Sequence, residues 1–123
     1  MDEAELAGLD YCYLTTTGRK SGHAHTIEIW FALLDDRVYL MSGGGDGSDW
    51  VRNLQAHPTV GLRVGDVDMI TKAYLIEDPE EDALARRLLV EKYAPRYEGD
   101  LTEWGRTAMP IAIQLPTMEP AGA

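Results

Sequence analysis

The octet Thr15-Thr16-Thr17-Gly18-Arg19-Lys20-Ser21-Gly22 sets the first constraint on the fold. Its two glycines allow a tight turn, and the segments on either side are rich in β-branched and aromatic residues, so the chain is expected to double back as a hairpin. Tyr11–Thr16 reads as one strand, and a longer run from about His25 to Leu34, with Ile27, Ile29, Trp30, Phe31 and Leu33, reads as the next. The turn also places two adjacent cations and a hydroxyl in a chain of formal net charge −10. Phosphate groups are held by local positive charge and by backbone N–H groups that glycine leaves accessible. An Arg-Lys pair in so acidic a chain suggests an anion held at one place. Taken alone, the octet fits a solvated hairpin turn equally well.

Further along, the same logic repeats. Asp35-Asp36 makes a turn from which Arg37–Ser42 returns as a hairpin partner. Gly43-Gly44-Gly45-Asp46-Gly47 reads as a flexible loop that no helix or strand would tolerate. Ser48 or Asp49 caps a short helix, Trp50 to Ala56, which His57-Pro58 stops. Thr59–Val64 and Val67–Ile76 flank Gly65-Asp66 as another hairpin. The clearest helix begins at Asp78, with Pro79 in its first turn and Glu81 completing a capping box, and carries Leu84, Ala85, Leu88 and Leu89 on one face through about Lys92. An irregular stretch through Tyr93, Tyr97 and Trp104 leads to a last strand, Met109–Leu115, and a loose tail over 116–123. Six strands in successive hairpins, with one short and one longer helix, predict an antiparallel sheet closing into a small barrel with helices outside. At 123 residues the chain reads as a single domain, 1–123.

Composition narrows the function classes. The 11 Lys and Arg residues are scattered rather than striped, which argues against a nucleic-acid partner. No run approaches the roughly 18 apolar residues of a transmembrane span. The acidic start lacks a secretory signal, and the single Cys12 cannot form an internal disulfide, so a cytoplasmic address is expected. His23 and His25 alternate as metal ligands could, but no third ligand is suitably spaced, and no metal site is expected. No nucleophile–base–acid set can be assembled either. What remains is two glycine-bearing turns and a helix N-terminus beside Trp50. Together they offer charge and N–H groups to an anion and a flat face to a ring, a combination suited to a dinucleotide-like or flavin-like ligand.

At this point the chain resembles the deazaflavin-dependent nitroreductases of actinobacteria, a split β-barrel family related to the FMN-binding pyridoxamine-phosphate oxidases. The resemblance rests on Leu14 through Gly22, then Ser42-Gly43-Gly44, Trp50-Val51-Arg52-Asn53-Leu54 with His57-Pro58, and finally Tyr93, Tyr97, Trp104 and Pro110-Ile111. It implies a mainly β split barrel with flanking helices that binds coenzyme F420, with FMN as the alternative cofactor. By resemblance Arg19, Lys20 and Ser21 hold the cofactor's anionic groups, and His25, Thr26, Ile27, Glu28, Ile29 and Trp30 line it. Leu40, Met41, Ser42 and Gly43 border the ring, while Asp49, Trp50, Val51, Arg52 and Asn53 close on it. Tyr93 and Tyr97 cover the substrate side and are the candidate proton donors. The implied activity is hydride transfer from F420H2 to a small organic acceptor such as a quinone, nitroaromatic or enone. A non-catalytic carrier of a flavin-like or lipophilic ligand, or an FMN-using oxidase, are the alternatives. Two departures stand out: His25 where the family has arginine, and Gly43 where it has lysine, each removing positive charge. The short chain before the first strand and the barrel's open edges imply a homodimer.

Overall fold

The structure is a computed structural model, and it describes residues 2–116. Seven strands form one antiparallel sheet: β1 (Cys12–Thr17), β2 (Ala24–Ile29), β3 (Ala32–Leu34), β4 (Arg37–Ser42), β5 (Thr59–Val64), β6 (Val67–Leu75) and β7 (Met109–Gln114). The helices are α1 (Glu3–Ala7), α2 (Asp49–Ala56), α3 (Pro79–Tyr93) and α4 (Thr102–Thr107). The strand order is β2-β1-β5-β6-β7-β4-β3. Its two ends, β2 and β3, are neighbours in sequence, separated only by Trp30 and Phe31. In a flat sheet those edges would lie about 29 Å apart, at about 4.8 Å per strand spacing. Three Cα steps reach at most about 11 Å. The sheet therefore has to curl on itself, and the fold is a split barrel.

This junction corrects the expectation of a single strand from His25 to Leu34. The peptide at Phe31 is satisfied from α3 rather than by a neighbouring strand. Its N–H donates to the Tyr93 hydroxyl at 3.0 Å, and its carbonyl accepts from Lys92 Nζ at 2.9 Å. The Tyr93 hydroxyl also lies 3.0 Å from the Phe31 carbonyl and donates to the Asp10 carbonyl at 2.7 Å. Lys92 Nζ sits 3.8 Å from the centre of the Phe31 ring, a cation–π contact. Trp30, on the outer side of the bend, stacks on the Tyr93 ring at 4.2 Å with the planes 2° apart.

Strand alternation divides the apolar side chains between two layers. Cys12, Leu14, Val38, Leu40, Val60, Leu62, Val64, Ile111 and Ile113 fill the barrel, which Val51 and Leu54 of α2 close. Tyr39, Met41 and Ala112, from the same strands, face outward beneath Ala85, Leu89 and Tyr93 of α3. The hairpins β1–β2, β3–β4 and β5–β6 stand where the turn residues placed them. Three local expectations change. Asp78 caps α3 through the Glu80 N–H, but Glu81 does not complete a capping box. Its carboxylate is drawn instead to Arg37 at 2.6 Å, to the Tyr39 hydroxyl at 3.0 Å and to the Tyr74 hydroxyl at 3.1 Å. The glycine loop carries one turn of 3-10 helix, Gly45–Gly47, entered through a left-handed Gly45 (φ 60°). Trp104 lies on α4 rather than in an irregular stretch. The expected loose tail falls, apart from Pro116, outside the described residues.

Burial, the largest effect, pushes the Tyr93 hydroxyl up to about 12 from an ordinary 10. The stability this neutral hydroxyl contributes is present below pH 10 and is lost as the pH rises through 10 toward 12. Tyr93→Phe is expected to cost about 1–3 kcal/mol at neutral pH, because the Phe31 N–H and Asp10 carbonyl lose a buried partner. Denaturant titrations across the alkaline range check both parts. The variant should be less stable at pH 7 and lose less between pH 10 and 12. Equal stability with an unchanged alkaline limb would contradict the junction's role.

Candidate functional site

The β1–β2 turn closes tightly. The Gly18 N–H donates to the His23 carbonyl at 2.7 Å, the Gly22 N–H donates back to the Gly18 carbonyl at 2.8 Å, and Gly22 takes a left-handed φ of 74°. Gly18 leaves room for close side chains: a Cβ on it would stand 2.6 Å from Ser21 Oγ and 2.9 Å from His25 Nε2, so the serine hydroxyl and the imidazole lie directly over its Cα.

Beneath this turn lies α2, and the two are joined by polar contacts. Asn53 is 4% exposed. Its Oδ1 accepts from the Arg19 backbone N–H at 3.2 Å and from the Arg19 guanidinium at 2.9 Å, while its Nδ2 donates to Thr16 Oγ1 at 3.3 Å. A second guanidinium nitrogen reaches Asp49 Oδ1 at 3.2 Å. Between turn, β2 and α2 opens a cleft of about 630 Å³ lined by Thr16, Gly18, Arg19, Lys20, Ser21, Ala24, His25, Thr26, Ile27, Asp49, Trp50 and Asn53.

The structure thus brings together Arg19, Lys20, Ser21, His25, Thr26, Ile27, Asp49, Trp50 and Asn53 of the residues expected at the cofactor. The rest lie elsewhere: β2 lines the cleft from Ala24 to Ile27, next to the turn, and its later residues run past it. Glu28 lies on the outer face and accepts from the Tyr13 hydroxyl at 2.9 Å. Ile29 packs on the barrel core, and Leu40 and Val51 are fully buried within it. Met41 packs under α3. Ser42 is 2% exposed, with its hydroxyl donating to the Gly45 carbonyl at 3.0 Å and lying 2.7 Å from Ser48 Oγ. Arg52 Nε donates to the Asp46 carbonyl at 3.0 Å. Trp30 belongs to an aromatic cluster in which Tyr97 and Trp104 meet it edge-on at 5.6 and 5.5 Å. Gly43 borders that cluster: a Cβ there would lie 3.8 Å from the Trp104 ring.

The two tyrosines separate. Tyr93 is 1% exposed, and its hydroxyl is committed to backbone atoms. That commitment, with its raised pKa, makes it a packing residue. Tyr97 is 49% exposed. Sequence reasoning passed over Thr16, Gly18 and Ala24 as cleft residues; their place in and beside the glycine turn was the available signal.

A larger depression, about 1020 Å³, lies on the outer face over Tyr13, Thr15, Gly61, Arg63, Asp68 and Ile70. Its one cation, Arg63, is within 3.9 Å of Asp68. Size favours this depression and donor chemistry favours the turn cleft. An anionic, ring-bearing ligand needs cations, a hydroxyl and a flat wall, and the cleft supplies all three in Lys20 with Arg19, Ser21 and Trp50. The cleft therefore fits a phosphorylated deazaflavin. Among the described residues no three of His, Cys, Asp and Glu gather as a metal cage, and no helix is long and apolar enough to cross a membrane.

The strand order and the curl of the sheet define a split barrel. The chain belongs to the F420H2-dependent quinone reductase family, whose model matches residues 3–116. Among solved structures, an F420-H2 dependent reductase (FDR-A) is 28% identical, with a TM-score of 0.67 over 85% of this chain and 94% of its own. A structure described as a domain-swapped dimer is 24% identical, with a TM-score of 0.69 over 85% of this chain and 80% of its own. A Listeria innocua structure ascribed to the pyridoxamine 5'-phosphate oxidases is 18% identical, with a TM-score of 0.65 over 89% and 86% of the two chains. No curated protein matches the chain. The protein is an F420-dependent oxidoreductase of the split-barrel class.

Proposed function

We propose that the protein reduces a small, flat organic acceptor, a quinone, nitroaromatic or enone, with F420H2 held in the cleft between the β1–β2 turn and α2. The observation that carries this reading is the convergence of Lys20, Ser21, His25 and Trp50 on one cleft in a chain of net charge −10. Lys20 and Ser21 bind the anionic groups, with Arg19 behind them. Trp50 and Ile27 provide the apolar wall that orients the ring. A deazaflavin would supply the hydride when bound, so the chemistry asks for no nucleophile–base–acid set from the chain. Met41 and Leu40 support the site from the core rather than touching the ring. The acceptor side is assigned to the aromatic cluster of Trp30, Tyr97 and Trp104, with Gly43 at its border. Of the two tyrosines only Tyr97 presents an accessible hydroxyl, so the acceptor's proton comes from Tyr97 or from solvent. A cytoplasmic setting accompanies this reading, since the reduced cofactor has to be regenerated by another cellular reductase.

A homodimer is part of the proposal. The outer face exposes Ile70 at 78% and Tyr13 at 42%, beside a paired Arg63 and Asp68 that a two-fold related copy could meet in reverse order. Light scattering at micromolar concentration should give a mass near twice 13.7 kDa, and a monomer mass in wild type would remove this part.

Binding titrations with F420 and FMN, followed by rapid mixing of the F420H2 complex with menadione, test the main reading. F420 should bind more tightly than FMN, and mixing should restore the oxidised deazaflavin's absorbance. Lys20→Ala should weaken F420 binding at least about tenfold, since charge-assisted contacts are worth roughly 1.5–3 kcal/mol, and the loss should grow at low salt. Tighter FMN binding, or bound F420H2 that no acceptor oxidises, would overturn it.

A further inference from the structure

Arg19 is not a free cation. One guanidinium nitrogen and its own backbone N–H are held by Asn53, a neutral and buried partner. The other terminal nitrogen is held by Asp49, whose side chain is 84% exposed. The two partners differ in how easily they can be replaced. Breaking the Asn53 contacts would strand a buried amide that also supports Thr16. Releasing Asp49 merely returns an exposed carboxylate to water. An anion arriving at the turn can therefore exchange with Asp49 for one face of the guanidinium, while Asn53 keeps the arginine in place.

We propose that Asp49 is an affinity-setting residue of the cleft, an internal carboxylate that competes with anionic ligands for Arg19. This rests on the assignment of the cleft as an anion site, but not on which cofactor fills it. The competition has a consequence for selectivity. A ligand with one negative charge gains little by replacing one carboxylate with another. A ligand with two or more neighbouring charges gains Arg19 and Lys20 together. The cleft therefore favours compact polyanions such as a diphosphate, or a phosphodiester beside a carboxylate, over a single carboxylate or phosphate. Asn53 is the positioning residue of this device, since it fixes both the backbone and the guanidinium of Arg19.

The test is a double-mutant cycle read by calorimetry with inorganic pyrophosphate, and in parallel with F420. Asp49→Asn should tighten pyrophosphate binding by about three- to fivefold, the range an exposed pair can supply, and should tighten acetate at least as much, which narrows the preference for the polyanion. In an Arg19→Gln background the same substitution should have no measurable effect. Asp46→Asn, which removes a neighbouring exposed charge from the same segment, controls for the general field and should leave affinity unchanged. Equal gains from Asp49→Asn and Asp46→Asn, or a gain that persists without Arg19, would overturn the proposal, as would an absence of pyrophosphate binding in every variant. Intact coupling with pyrophosphate alongside no binding of F420 would instead sustain the competition and sink the cofactor assignment.

Discussion

The peptide group of Phe31 holds the rest of this structure in place. A chain that leaves one edge of a seven-stranded sheet and enters the opposite edge within two residues cannot satisfy the intervening backbone by strand pairing. Tyr93 and Lys92, from one turn of α3, do so instead. Because buried backbone groups have to be paired, α3 and the curl of the sheet stabilise each other. The stacking of Trp30 on Tyr93 adds a flat contact to the same junction. With the barrel closed here, the β1–β2 turn is brought over α2, and the cleft between them takes its shape.

The division of labour inside the site follows from that geometry. Buried groups fix positions: Asn53 ties the turn to α2, and Ser42 ties the end of β4 to the glycine loop. Exposed groups carry charge: Lys20 stands at the mouth of the cleft, and Asp49 balances Arg19 from outside. The acidic surface raises the cost of any bound anion, so local cations matter more here than in a basic protein.

Much of the fold was legible because turns have strong local chemistry. Gly18 and Gly22, Asp35-Asp36 and Gly65-Asp66 marked three hairpins, and Asp78-Pro79 marked the start of α3. The break at Trp30-Phe31 was not legible, since its cause is a tyrosine and a lysine some sixty residues away. Glu81 misled for a related reason. A local capping box was available, but Arg37, Tyr39 and Tyr74 offered the carboxylate a better-satisfied tertiary site. Of the residues expected at the cofactor, those of the turn and of the start of α2 do gather on one cleft, because the turn packs on that helix through Asn53. Along the strands the expected set spreads away from that cleft: Glu28 meets Tyr13 on the outer face, Ile29 and Leu40 join the barrel core, and Met41 packs under α3. Tyr93, a candidate proton donor by resemblance, is buried with its hydroxyl bonded to backbone atoms, which no local sequence signal announces.

The most direct measurement of the central claim is amide and indole chemical-shift mapping of isotope-labelled protein titrated with F420. Binding in the turn cleft should move the Arg19, Lys20, Ser21 and His25 amides and the Trp50 indole N–H. It should leave Thr15, Gly61 and Ile70, on the outer face, unperturbed at substoichiometric ligand. Shifts concentrated at the larger depression around Gly61 and Ile70, with the turn amides unmoved, would contradict the account.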